Sequence, residues 1–266
     1  MSVTMVYDIE TVPDLESGRR VLSLSSEISE KEVLEALLER RRKQTEGSEF
    51  LPHYLHKVVA ISVVVSTSDW VKVWSLGEPH AEERDIIERF FAGIEHYSPT
   101  LVSWNGSGFD LPVLHYRALV LGVVSPKYWE TGEKDNGFKW NNYLSRYHQR
   151  HTDIMDVIAG YQSRAFAPLT EIALMLGLPG KMGMDGSKVL DKYQSGEIHS
   201  IRNYCETDVL NTYLIYLRFQ NIRGVITTET YEYEKTRLRK YLKFSEKPHF
   251  LEFLEAWKMG EKENVE

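Results

Sequence analysis

The chain has 266 residues, a formal net charge of −7, 42% hydrophobic and 27% charged residues, a balance that suits a globular protein able to bury a full α/β core. Its single cysteine, Cys205, excludes an intrachain disulfide and a thiolate metal cluster, and no apolar stretch approaches the roughly 20 residues of a membrane span, so no membrane partner is expected. The acidic balance argues against a protein that coats nucleic acid by bulk electrostatics, but not against an enzyme that acts on it.

The opening run shows no signal-peptide pattern, which leads us to expect a cytoplasmic protein. Met5 to Ile9 reads as a first strand. In Met5-Val6-Tyr7-Asp8-Ile9-Glu10-Thr11, Asp8 and Glu10 stand two apart, so both point from one strand face with Cα atoms roughly 6.5 to 7 Å apart. Two like charges there need a counter-ion, and Mg²⁺ or Mn²⁺ prefers carboxylate oxygen. A strand end with solvent-facing acids is the alternative for this pair alone.

An excursion over residues 12–57 contains a helix from about Glu30 to Lys43, with Val33, Leu34, Leu37 and Leu38 as a narrow apolar stripe and Arg40-Arg41-Arg42-Lys43 as a solvated basic end. Val58–Val65 and Trp70–Leu76 read as strands joined by the turn Ser66-Thr67-Ser68-Asp69. Ile86, Ile87, Phe90, Phe91 and Ile94 share one face of a helix over 81–97, and Leu101–Trp104 reads as a fourth strand. Asp110-Leu111-Pro112 opens another helix, with Asp110 expected at the N-cap and Gly122 as the stop. Residues 123–150 read as a loop or hairpin excursion, Thr152–Val157 as a fifth strand, and Pro168–Leu176 as a helix ending at Gly177. Asp153 and Asp156 are expected to be hydrogen-bonded structural acids near the strand end. Strands alternating with helices after an antiparallel hairpin predict an α/β fold with a mixed β-sheet.

The helix His199–Arg218 carries Ile201, Cys205, Val209 and Thr212 on a core stripe, with Cys205 read as buried filler. Beside the stripe, Tyr204 and Asp208 are four apart and stack one turn above the other. Three segments thus stand in order: Asp8-Ile9-Glu10, Asn105-Gly106-Ser107-Gly108-Phe109-Asp110, and Tyr204-Cys205-Glu206-Thr207-Asp208. The ordered triple resembles the exonuclease motifs of the DEDDy branch of DnaQ-like 3′-5′ exonucleases, closest to the proofreading domains of B-family DNA polymerases and their stand-alone relatives. The sister branch would have His where Asn203 stands.

The resemblance implies a ribonuclease-H-like fold, a mixed β-sheet flanked by helices, over an exonuclease domain of residues 1–222. Residues 223–266 are expected to form a helical C-terminal extension packed on it. It also implies two divalent ions, Mg²⁺ or Mn²⁺, held by Asp8, Glu10, Asp110 and Asp208, with Asp8 bridging them, and Tyr204 orienting the attacking water. Asn105 and Phe109 are expected to position the substrate, as are Ile9 and Thr11 within the first motif. Lys181 and Lys188, in the glycine-rich loop before the last motif, are candidates for phosphate contact. The expected partner is single-stranded nucleic acid, DNA favoured over RNA. The nine histidines show no zinc-ligand spacing.

Overall fold

The computed structural model describes residues 3–263, with side chains over residues 3–261. Five strands, β1 (Thr4–Pro13), β2 (His56–Ser66), β3 (Val71–Ser75), β4 (Thr100–Ser103) and β5 (His151–Asp153), form one sheet in the order β3-β2-β1-β4-β5. β2 runs antiparallel to β1 and β3, while β4 and β5 run parallel to β1. In chain order the helices are α1 (Leu15–Val21), α2 (Glu30–Gln44), α3 (Glu83–Tyr97), α4 (Asp110–Leu121), α5 (Ile154–Ile158) and α6 (Leu169–Met175). They continue with α7 (Val189–Gln194), α8 (Ile198–Ile222), α9 (Thr228–Ser245) and α10 (Pro248–Glu263). This is the mixed, helix-flanked sheet of the ribonuclease-H-like fold.

The two-residue period of β1 divides the core. Met5, Tyr7 and Ile9 enter a cluster with Ile86, Ile87, Phe90 and Phe91 of α3 and Leu114 of α4. Val6 points the other way, into a cluster with Val209, Leu210 and Tyr213 of α8. Asp8 and Glu10 share the parity of Val6 and therefore face α8. Between Glu10 and Thr11 the pairing with β2 slips by one residue: Ala60 opposes Glu10 and Val58 opposes Thr11, leaving Val59 over as a bulge.

Beyond the central part of α8, the second cluster takes in Leu238 and Leu242 of α9 and Phe250, Phe253 and Trp257 of α10. Each buried side chain of this size contributes about 1.5–3 kcal/mol, so these two helices are part of the core of the fold rather than an appendage. The last three positions of the expected extension, 264–266, lie outside the described residues.

Two expectations are corrected. The apolar run after Thr152 is strand only to Asp153; Ile154–Ile158 is α5, because the Asp153 carboxylate accepts the Asp156 N–H and caps a helix there. Asp110 is the first helical residue of α4 and not its N-cap, which is Phe109 without any side-chain bond. The short helix α1 is an addition that the local pattern does not announce; Asp14 caps it through the Ser17 N–H at 3.0 Å.

Candidate active site

The site gathers at the end of β1 that leads into the long excursion. β4 runs parallel to β1 with Val102 opposite Val6, so the chain leaving Ser103 emerges beside Asp8 and turns over it. That turn is tightly specified. Asn105 adopts a left-handed φ of +65°, and its carbonyl accepts the N–H groups of Gly108 and Phe109, both at 3.0 Å. A Cβ at Gly106 would lie 2.3 Å from Ser103 Oγ and 2.8 Å from the Tyr7 hydroxyl, so only glycine fits. The Asp153 carboxylate, from the neighbouring strand, accepts the Asn105 and Ser107 N–H groups at 2.9 Å each. The loop then delivers Asp110 at the start of α4, nine-tenths buried.

Opposite, α8 presents Tyr204 and Asp208, both mostly buried. The tyrosine hydroxyl lies close enough to the Asp208 carboxylate to lower its pKa. Cys205, fully buried, points its thiol at Asp8, with Sγ 3.4 Å from the backbone oxygen and 3.6 Å from Oδ2. It is therefore more than core filler: it forms the floor of the site. Asp8, Glu10 and Cys205 each offer a ligand atom within a common 4.8 Å.

Asp110 and Asp208 press on Asp8 and Glu10. Burial, then Asp110, Glu10 and Asp208, push the Asp8 carboxyl well above its usual range. Burial, Asp208 and Asp110 do the same to Glu10. Burial raises Asp110 to about 7, partly opposed by backbone N–H groups of Asp110 itself and Ile9. Asp208 rises to about 6, burial again leading, while Tyr204 and Lys181 pull it down. Burial drives the Tyr204 hydroxyl far above its ordinary value and keeps it a neutral donor. The Cys205 thiol is likewise raised by burial, then by Asp8, and stays protonated.

Such a carboxylate cluster is costly in isolation and favourable around cations. Its carboxylate oxygens fit hard ions such as Mg²⁺ or Mn²⁺, with the Cys205 thiol adjoining them.

The remaining candidates fall into distinct places. Ile9 is 5% exposed and packs in the core, so only its backbone faces the site. The Thr11 hydroxyl lies 2.8 Å from His56 Nδ1, and His56 Nε2 lies 3.1 Å from the Leu51 carbonyl. Because a carbonyl only accepts, Nε2 carries the proton and Nδ1 accepts from Thr11 in the neutral ring that burial favours. Phe109 is half-buried among the rings of Phe50, His53 and His56. Lys181 is exposed and close enough to Glu10 and Asp208 to lower both. Its loop is pinned by Asn211 of α8, whose amide bonds the Gly180 backbone oxygen at 2.9 Å. Lys188 faces Asp185 instead of the site acids.

Two residues to which sequence reasoning gave no part in the site thus shape it: Cys205, read only as filler, beneath Asp8, and Asn211 holding the Lys181 loop. Position 211 follows 208 by three on a helix, so a shared face was readable; its loop partner was not.

A family model described as a predicted 3′-5′ exonuclease related to the exonuclease domain of PolB matches residues 48–257. The chain belongs to that family. The matched region includes Asn105, Phe109, Asp110, Lys181, Tyr204 and Asp208, and it begins after Asp8 and Glu10. Over 142 residues, 52% of the chain, the sequence is 30% identical to the catalytic chain of DNA polymerase epsilon from Aspergillus fumigatus, and equally so to that from Emericella nidulans. The chain spans about 6% of the length of these relatives. Among the described residues no helix is long and apolar enough to cross a membrane.

Proposed function

We propose that this exonuclease hydrolyses single-stranded DNA from the 3′ end, one nucleoside monophosphate at a time, in a cytoplasmic setting. The observation that carries the reading is that Asp110 from the β4–α4 loop and Asp208 from α8 lie close enough to Asp8 and Glu10 of β1 to raise both, with burial raising all four. Two divalent ions held by these acids would supply a hydroxide-like nucleophile at neutral pH and stabilise the leaving 3′ oxygen. The chain's own groups do the rest. Tyr204, held neutral beside Asp208, orients the attacking water by hydrogen bond; it is too weakly acidic to serve as a bulk base.

Asn105 lies in the loop that leads to Asp110, where a hydrogen bond to the terminal nucleotide fixes the 3′ end, and Phe109 supports the sugar or base by packing. Lys181, beside Glu10 and Asp208, neutralises the scissile phosphate. Lys188 serves at most a more distant phosphate.

Purified protein is incubated with 5′-labelled DNA and RNA of equal sequence in Mg²⁺, Mn²⁺ or chelator. A descending ladder on DNA, dependent on the metal and stopped by a blocked 3′ end, supports the proposal. Cleavage of a circular single strand at the linear rate overturns it, and a faster ladder on RNA moves the same chemistry to an exoribonuclease.

A further inference from the structure

The segment that closes the excursion, residues 50–56, lies against the site in a way no catalytic role explains. Phe50 is 57% exposed, unusual for a phenylalanine that packs on other rings. Its ring centroid sits 5.6 Å from Phe109 and 5.3 Å from His56; His53 lies 5.6 Å and His56 5.2 Å from Phe109. Two of these four rings connect to the acids: Phe109 directly precedes Asp110, and His56 is hydrogen-bonded to Thr11, which follows Glu10. One residue beyond His53, Tyr54 is 41% exposed and meets Tyr116 of α4, itself 44% exposed, edge-on at 6.0 Å.

A cation completes the arrangement. In the basic end of α2, Arg42 pairs with Glu35 and Glu49, and Lys43 with Glu39. Arg41 instead donates Nε to the Phe50 backbone oxygen at 2.6 Å, which ties its guanidinium to the backbone of the residue that carries the exposed ring.

We infer that Phe50 and His53 form with Phe109 a stacking shelf for the unpaired bases at the 3′ end of the substrate, with Arg41 facing the adjoining phosphate. The inference rests on the exonuclease reading above and deepens it by naming what selects a single strand. A ring exposed on one side and braced by other rings on the other offers a flat apolar face of fixed orientation, which any base can cover. A base still paired in a duplex has no free face to offer it.

The test uses the full chain and a short 5′-fluorescent single strand, alongside the same strand with abasic sites at its 3′ end. Binding is read by anisotropy in chelator and cleavage in Mg²⁺ or Mn²⁺. Phe50→Ala is expected to raise Kd and KM about tenfold, about 1.4 kcal/mol, with kcat within about twofold of wild type. Phe50→Trp restores both constants. Phe50→Leu, which keeps the apolar contact with Phe109 but no ring, behaves like the alanine variant. On the abasic strand wild type and Phe50→Ala converge.

Unchanged binding by Phe50→Ala, or an equal loss on the abasic strand, overturns the shelf while leaving exonuclease activity in place. Binding that depends on Phe50 without any shortening of the strand overturns the exonuclease reading and leaves the shelf. If wild type neither binds nor cuts the strand, both fail.

Discussion

Replacing Arg117 with Met should be the most damaging single change outside the site. Arg117 of α4 donates Nε and Nη2 to the two oxygens of Glu83 at 2.7 and 2.6 Å, and Nη1 to Asp14. Glu83 also accepts the Val58 N–H at 2.7 Å, and Asp14 caps α1. All three side chains are at least nine-tenths buried, so the network ties the excursion and β2 to the helices α3 and α4, the second of which begins at Asp110. Removing the guanidinium strands two carboxylates in the interior, each left with one backbone partner. Breaking a buried pair costs about 3–5 kcal/mol, a large share of the roughly 5–15 kcal/mol that holds a domain together.

The pH dependence follows from Asp14. Burial pushes its carboxyl up, but the Ser17 bonds and then Arg117 more than offset this and hold it below its ordinary value. Native Asp14 therefore binds fewer protons than unfolded Asp14 near its titration, and its contribution is present above that range and lost as pH falls through the native value. In the variant the lowering by Arg117 is lost and the carboxyl rises from its wild-type value, so the penalty shrinks as pH falls. Urea unfolding at pH 7.5 and 4.5 should show a gap of about 3–5 kcal/mol that narrows in acid. A gap below about 1 kcal/mol at neutral pH, or one that widens in acid, would refute the reasoning. Adding Asp14→Asn and Glu83→Gln to Arg117→Met should recover most of the loss.

Asp8→Asn or Asp208→Asn should abolish cleavage with the circular dichroism spectrum unchanged; full activity in either would remove the acid from the metal-binding set. Tyr204→Phe should lower kcat by about tenfold or more, about 1.4 kcal/mol, with KM little changed, and a rate within about twofold of wild type would assign the ring to packing alone. Mg²⁺ or Mn²⁺ at a hundredfold excess over Kd should stabilise wild type by about 2.7 kcal/mol, read as a rise in Tm that chelator reverses and Asp8→Asn lacks. Gly106→Ala forces a Cβ to 2.3 Å from Ser103 Oγ, inside the bonds that join Ser103 and Tyr7 to the buried His151, and should lower stability by about 1–3 kcal/mol and activity with it.

The parts of the site legible in the sequence are those fixed by local periodicity. Asp8 and Glu10 stand out because a period of two sends them to the face where Val6 is core, and Tyr204 and Asp208 because a spacing of four stacks them. What topology decides was not legible. Asp153 reads as one more acid until β5 is laid beside β4, where it takes the Asn105 and Ser107 N–H groups and so shapes the loop that carries Asp110. Cys205 reads as core because it is core; its second role comes from the single atom it turns toward Asp8. The Ile154–Ile158 run has the same apolar composition in strand and helix, and the capping bond of Asp153 settles it. The short helix α1 depends on Gly18, where a Cβ would meet Leu37 Cδ1 of α2 at 2.5 Å, a constraint no local pattern announces.

The places where local rules break converge on the candidate site. An acid pair interrupts a buried strand, Asn105 takes a left-handed conformation without being glycine, Asp110 is buried at a helix start without capping it, and Asp208 is buried on a helix packed nearly all round. Each is unfavourable alone, and a fold that carries all four must be held by its other contacts: Asp153 under the loop, the Arg117 network behind α4, and Glu206 of α8 bonded to Ser75, Lys247 and His249. The last of these joins the helix that bears Tyr204 and Asp208 to both β3 and the start of α10. The C-terminal helices thus pack behind the helix that carries Tyr204 and Asp208 and help to hold it against the sheet.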